Sequence, residues 1–391
     1  MTAGGRAMIP AGRLRALFLS FMMAVCTACA GSDGPAADEP TPRLSVRPWP
    51  AAERLFRQDG RWMGADDAHS VDLGKGRVLW LFGDTLVDAQ GQGSRRQAGM
   101  IRNSIGIQKG YDPAGASMAF FWKRAQHAEP ASFFPERGAT WYWPGDGIRI
   151  GTRLLIFLAA VNTAPNPLGF ALTGWQAVMV DNPDETPDRW RSFRAKRDPT
   201  RFGIIPGTGG ILARDGFVYA YGCDASGQRA YLARWPENNA AAGDLRDPQW
   251  WCGDDAGWLA ENRMQAGPAV LFADAQSEFG VCHEPHLNRY VQIQTIGFGA
   301  ADLGFRTAAS PQGPWGALTR FYLPPEKTIP GVLIYAAKPH CFLTGNGLAI
   351  TYATNHMDPE RLNDYPALYY PRVVRGAFLT TIKSRRSDHV P

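Results

Sequence analysis

Short apolar runs alternate with glycine-rich turns along this chain, and the runs come in pairs. The first pair lies in 64–87, GADDAHSVDLGKGRVLWLFGDTLV. Ser70-Val71-Asp72-Leu73 alternates polar and apolar, as a half-buried strand does. Arg77 to Phe82 is dense in strand formers. Gly74-Lys75-Gly76 between them tolerates positive φ and predicts a hairpin turn. Four further pairs follow: 145–161 turning at Gly151-Thr152, 209–222 at Asp215-Gly216, 283–297 at Leu287-Asn288-Arg289, and 338–354 at Gly345-Asn346-Gly347. The turns recur every 60 to 75 residues or so, roughly the spacing of a repeated four-stranded unit. More strands are expected behind the hairpins, at 104–108, 175–180, 229–234, 303–309 and 367–370. The pattern predicts an all-β chain, a five-bladed β-propeller of four-stranded antiparallel blades over 44–391. With 43 Gly and 30 Pro and little helical periodicity after Leu44, a helical solenoid is excluded.

A propeller gives hairpin ends a location. The innermost strand of each blade starts at the mouth of the central channel, and its partner returns there. Folding the first hairpin about Lys75 sets Asp66 opposite Asp84, each nine positions away, so both share a face. Asp67 is a neighbour on the strand and is expected to point the other way. Asp146 comes to the mouth from the second blade, His283 and Glu284 from the fourth, and Lys338 and His340 from the fifth. The third blade brings Gly207-Thr208-Gly209-Gly210, which supplies room and no charge.

Carboxylates from several blades converging on one pocket suit glycoside hydrolysis. One carboxylic acid protonates the leaving oxygen, and another activates water or attacks the anomeric carbon. Repulsion between them raises one pKa. The catalytic candidates are Asp66, Asp84, Glu284 and Asp146: Asp84 as base or nucleophile with Asp66 as its partner, Glu284 as general acid, Asp146 as a tuning group. These roles are exchangeable at this level. Asp67, Arg102, Asn103, Trp143, His283 and His340 are candidates for binding substrate. Each has a plainer reading: Asp84 and Asp146 as turn residues, Glu284 in a surface ion pair, His340 in the core. Trp141, Tyr142 and Trp143 precede Asp146, and they either stack on sugar rings or pack between blades.

The formal net charge is +5, and removing residues 1–28 takes away Arg6, Arg13 and Arg15 and no acid, leaving +2. No basic stripe points to nucleic acid. Walker-type loops, Gly-x-Ser-x-Gly, zinc-protease histidine spacing and EF-hand loops are absent. No cofactor is required and no metal site is assigned, although this many oxygens are compatible with a bound Ca²⁺. The chain is expected to be a monomer. Arg13 and Arg15 precede the apolar run Ala16 to Ala28, too short to span a bilayer comfortably. Small residues before Cys29 resemble a bacterial lipoprotein signal, with Cys29 lipidated. Cleavage after Ala30 is the alternative. Residues 1–28 are read as the signal and 29–43 as a polar, proline-rich tether. Either route exports the protein, anchored by lipid to the envelope or secreted. Of the four remaining cysteines, the favoured pairs are Cys223–Cys252 and Cys282–Cys341.

The segments Gly64 to Val71, Leu79 to Thr85 and Arg102-Asn103-Ser104 resemble bacterial five-bladed propeller families labelled domain of unknown function 4185 and relatives, which include endo-acting D-arabinan hydrolases. These are distantly similar to the arabinanases and xylosidases of glycoside hydrolase family 43. Thr307 to Trp315 also looks like a fourth-blade motif of such propellers. The resemblance implies a catalytic acid pair at Asp66 and Asp84. Asp67 stands where those families would be expected to hold glycine. The expectation is an exported hydrolase of an extracellular or envelope polysaccharide, its sugar unassigned. The alternative is a non-catalytic carbohydrate-binding propeller.

Overall fold

The computed structural model describes residues 42–379, apart from 126–128, 167, 200, 226–227 and 344–346. The signal, most of the tether and the lipidation candidate Cys29 lie outside the described residues.

Five antiparallel sheets form the blades of a propeller. Blade I holds Trp62–Gly74, Arg77–Val87, Ser104–Lys109 and Ser117–Phe121, from the channel outward. Blade II holds Trp141–Ile150, Arg153–Thr163, Phe170–Val180 and Ser192–Arg194. Blade III carries a fifth strand: Ile204–Arg214, Phe217–Asp224, Ala230–Pro236, Gln249–Trp251 and Trp258–Ala260. Blade IV holds Gly280–Glu284, Arg289–Ile296, Asp302–Ala308 and Thr319–Tyr322. Blade V holds Val332–His340, Leu348–His356 and Arg372–Leu379, and its outermost strand is the N-terminal Arg43–Pro48. The two ends of the chain therefore close the ring in one sheet, with Leu44 opposite Phe378 and Pro48 opposite Val374.

Each blade is covered by a neighbour on both faces, so its second strand reads as a continuous apolar run. Val78-Leu79-Trp80-Leu81-Phe82 is buried residue by residue, as expected of a strand packed on both sides. The core divides into five clusters, one at each seam between blades. Leu79, Leu81, Leu154 and Ile156 meet between I and II, and Phe157, Trp175, Val218 and Trp235 between II and III. Tyr221, Phe272 and Val281 meet between III and IV, Ile293, Phe305, Ile334 and Ile350 between IV and V, and Trp62, Trp80, Ala349 and Val373 between V and I. Trp62 stacks on Phe120 at 4.3 Å between centroids, so much of the tryptophan content is packing between strands and blades.

Three expectations change. The predicted strand 367–370 is mostly turn, and the strand begins at Arg372. Pro366 and the helical turn Pro359–Asn363 before it carry the chain over the mouth instead of along the blade. The hairpin of blade IV turns between Glu284 and Arg289, with Gly280 opposite Ile293, so its inner strand begins before His283. Of the two favoured disulfides, Cys282–Cys341 forms and ties blade IV to blade V. Cys223 and Cys252 are free, and Cys223 is buried in the III–IV core.

Candidate active site

Two bulges create the site. The inner strand of blade I loses register repeatedly between Trp62 and His69. Asp67 there has φ 68° and Ala68 φ 131°, conformations that cost a non-glycine residue about 1 kcal/mol or more. The bulge breaks the alternation that would send Asp66 and Asp67 to opposite faces. Both carboxylates turn toward blade V, where the inner strand bulges at Ala336 with φ 55°.

Asp66 lies opposite Gly83-Asp84, between the pairs Ala65–Thr85 and Asp67–Phe82. The Tyr335 hydroxyl donates to Asp66 Oδ1, and Asn355 donates to the Tyr335 oxygen, leaving its proton free for Asp66. The Tyr369 hydroxyl lies 3.2 Å from Asp66 Oδ2 and 2.9 Å from the Asp84 carbonyl oxygen. Burial pushes the Asp66 carboxyl well above the usual range, and the charges of Asp84 and Glu278 add to it.

Asp84 is held differently. Arg102 donates to Oδ2 at 3.1 Å and Trp143 of blade II donates to Oδ1 at 2.8 Å. Burial raises this carboxyl too, and Arg102 and Trp143 oppose the rise without cancelling it. The Arg102 guanidinium lies over Trp141, 4.5 Å from the ring centroid. Trp143 is half-buried and packs edge-on against Phe170, so it holds the carboxylate and presents an aromatic surface beside it.

Blade IV contributes Glu278, two residues before its inner strand. Burial pushes its carboxyl to about 7, helped by the charges of Asp67 and Asp84 and opposed by Lys338. Asp146 lies deeper, within the inner strand of blade II. It accepts from the backbone N–H of Gly147 at 2.8 Å and of Ile211 in blade III at 2.9 Å. Burial brings it to about 7 as well. Asp67 accepts from Lys338 and lies 3.5 Å from His69 Nε2. Burial raises it and Lys338 opposes the rise.

Four sequence expectations are corrected here. Glu284 and His283 sit at the hairpin turn of blade IV, away from the mouth. Glu284 Oε1 accepts from the His286 N–H, and His283 lines a cavity of about 370 Å³ with Arg214, Asp215 and Tyr290. They lie there because the strand runs from Gly280 toward the turn, whereas the expectation started it at His283. Asn103 is fully buried and its amide is consumed by Phe134 N–H and by the Phe134 and Tyr142 carbonyls, so it ties blade I to the chain entering blade II. His340 has both ring nitrogens occupied, by Ser70 at 2.6 Å and Thr351 at 2.8 Å, and burial lowers it to about 3. Glu278, Tyr335 and Tyr369 were not anticipated. Among the described residues, no group of three or more His, Cys, Asp or Glu is arranged to hold a metal ion.

Five four- or five-stranded antiparallel blades around a channel lined with carboxyls define a five-bladed β-propeller. The chain belongs to the family described as a domain of unknown function, DUF5005, which matches residues 51–375. The first-blade motifs resemble domain of unknown function 4185 and relatives; the family model that matches is DUF5005, and the five-bladed propeller architecture of the resemblance stands. No curated protein matches the chain. Among solved structures, a Bacteroides ovatus protein with a provisional hydrolase designation superposes with a TM-score of 0.65 at 17% identity, over 89% of this chain and 93% of its own. The catalytic domain of the Coprinopsis cinerea GH62 α-L-arabinofuranosidase gives a TM-score of 0.49 at 13% identity, over 86% and 97%. The Xanthomonas citri GH43_1 enzyme complexed with xylose gives 0.45 at 13%, over 84% and 93%.

Proposed function

We propose that the protein is an exported glycoside hydrolase acting on an extracellular or cell-envelope polysaccharide, with an arabinan-like furanoside as the first substrate to try. The observation that carries this reading is the contrast between two carboxyls at one mouth. Glu278 has no strong donor among the groups acting on it and is pushed to about 7, so it keeps its proton near neutrality. Asp84 is buried as well, but Arg102 is ion-paired to it and Trp143 hydrogen-bonds it, and both act toward its ionised form. Environments that push two carboxyls apart are what acid and base roles need. Glu278 thus takes the general-acid role that the sequence suggested for Glu284 and protonates the leaving glycosidic oxygen. Asp84 activates water or attacks the anomeric carbon. Asp66, whose carboxyl burial and the charge of Asp84 push well above the usual range, is held beside Asp84 by the Tyr335 and Tyr369 hydroxyls. Trp143 offers its face to a sugar ring, and Arg102 offers its exposed edge to hydroxyls. Export through the N-terminal segment, with Cys29 as lipid anchor, belongs to the same proposal.

The test is release of oligosaccharide from D-arabinan, L-arabinan and bacterial exopolysaccharides by the chain from Ala30 onward, with Asp84→Asn and Glu278→Gln beside it. Release by the native protein, reduced about 100-fold or more in each variant, is expected, since one acid or base contributes that much. Equal binding by all three proteins with no release from any glycan would replace this reading with a carbohydrate-binding propeller.

A further inference from the structure

A cavity of about 370 Å³ lies at the seam between blades III and IV, lined by Leu212, Ala213, Arg214, Asp215, His283 and Tyr290. The inner strands of both blades start at the mouth and end beside this cavity, at Arg214 and Glu284. It therefore opens on the face opposite the carboxyls. Tyr290 is buried, and its hydroxyl has no hydrogen-bond partner. A buried hydroxyl left unpaired is unusual and calls for an explanation. The Arg214 guanidinium lies beside it, 5.8 Å from the ring centroid, near enough that its charge opposes the rise that burial imposes on the hydroxyl. The Arg214 side chain is itself 49% exposed, so it covers the hydroxyl without being locked there. His283 packs edge-on against Tyr290, with ring centroids 5.1 Å apart.

We propose that this cavity is a second saccharide-binding site, separate from the mouth, that holds a neutral sugar unit of the polysaccharide. The guanidinium of Arg214 donates hydrogen bonds, the carboxylate of Asp215 accepts them, and the His283 imidazole and Tyr290 hydroxyl do either. Neighbouring hydroxyls on a sugar ring need such a mixture of donors and acceptors. Arg214 Nε lies 3.5 Å from Asp215 Oδ2, so its charge is already met and an anion gains little here. Leu212, Ala213 and the Tyr290 ring offer apolar surface to the C–H face of the sugar. The volume falls at the low end of the roughly 300–1,000 Å³ of small-molecule pockets, room for a mono- or disaccharide. A sugar hydroxyl that moves Arg214 aside gives Tyr290 the partner it lacks. A polymer held at this second point is presented to the mouth at a raised effective concentration.

The use of this site on a polymer rests on the glycosidase reading, whereas binding of a sugar here needs no turnover, so the two fail separately. The measurement is a methyl NMR titration of the full chain, carbon-13 labelled at Leu and Ala and carrying Asp84→Asn so that no probe is consumed. The Leu212 and Ala213 signals are assigned through Leu212→Ile and Ala213→Ser. The probes are D-arabinose, L-arabinose, D-xylose, D-galactose and short arabinan and xylan oligosaccharides, with sodium sulfate and glucuronate as anionic controls. Saturable shifts of both methyls with at least one neutral saccharide are expected, with affinity lowered about tenfold in Tyr290→Phe, the loss of one hydrogen bond, and lowered also in Arg214→Ala. The thermal midpoint of Tyr290→Phe without ligand is expected at or above the native value, because the hydroxyl it removes has no partner. No saturable shift with any neutral saccharide, shifts with the anions alone, or native affinity in both variants overturns the proposal. On any polysaccharide the protein cleaves, Arg214→Ala is expected to raise KM for the polymer several-fold and to leave kcat unchanged.

Discussion

Asp146→Asn should remove a large share of the pH dependence of stability, because this carboxyl is pushed from its ordinary 3.8 to about 7 on folding. At pH 5 the folded carboxyl is protonated and the unfolded one is ionised, so folding takes up a proton. A group with a raised folded pKa contributes stability at low pH that is lost as pH rises through the folded value. Between pH 5 and pH 7 the loss is about two pH units at 1.36 kcal/mol each, or about 3 kcal/mol, and little more is lost by pH 9. The amide that replaces the carboxyl does not titrate. It retains one side-chain oxygen for the N–H groups of Gly147 and Ile211, and misplacing the amide costs about 1–3 kcal/mol at pH 5. Urea unfolding of both proteins at pH 5, 7 and 9, with the disulfide intact, gives the difference directly. The native protein is expected to lead at pH 5 and to lose about 3 kcal/mol of that lead by pH 9. His69 and His340, lowered by burial, push native stability the other way, but they are common to both proteins and cancel in the difference. A native-minus-variant gap that stays constant across this range would refute the argument.

Three more expectations concern the ring and its cysteines. Cys282 and Cys341 are 59 residues apart, and closing a loop of that length stabilises by roughly 4 kcal/mol in the chain-entropy account, so reduction should lower the urea midpoint visibly. Under native conditions Cys252 should react with a thiol reagent while Cys223, whose thiol burial pushes up, should not. Gly64→Ala should lower the thermal midpoint by several degrees and disturb the mouth. Gly64 has φ +119°, and a Cβ there would meet the Tyr369 carbonyl oxygen at 2.0 Å. An unchanged midpoint would show that Tyr369 is not held against blade I in this way.

Blade number and the turns of the first three hairpins were legible because they rest on local signals; the fourth turn lies slightly earlier than Leu287-Asn288-Arg289, and Gly345 and Asn346 of the fifth lie outside the described residues. Gly151-Thr152 and Asp215-Gly216 turn where strand formers on both sides demand it, and the strands end at Ile150 and Arg214. The site was legible only in part. Asp66 and Asp84 were found because they share one regular offset from one turn. Asp66 lies about nine positions before the centre of its turn, some 30 Å of strand. The same offset in the other hairpins reaches Trp143, Gly207, Glu278 and Tyr335. Applied to the turns read in the sequence, centred on Asn288 and Asn346, it reaches Phe279 and Ala337, one residue past Glu278 and two past Tyr335, and well short of Glu284. The error lay in letting the acidic residue next to a strand-like run define where the strand began. Asp67 could not be placed by alternation, because alternation fails at a bulge, and its positive φ agrees with a position suited to glycine. Tyr369 had no local signal, since a helical turn and a loop bring it over the mouth.

The contacts that assemble the mouth are largely those that close the ring. Asp66 meets Tyr335, Asp67 meets Lys338, and Ser70 meets His340, each joining the first blade to the last. Arg95 of blade I donates to the carbonyl oxygens of Leu362 and Leu368 at 3.0 and 2.7 Å, holding the segment that delivers Tyr369. Three residues after Tyr369, the strand Arg372–Leu379 begins, and the N-terminal strand pairs with it. The non-glycine residues with left-handed backbone at this seam are Asp67, Ala68, Ala336 and Tyr369. Strain of that kind persists only where surrounding contacts over-determine it, and here the surroundings exist only when blade V has docked on blade I. An open ring would therefore lose the bulges, release Asp66 from its tyrosines, and separate Lys338 from Asp67. Closing the propeller and making the site are one event.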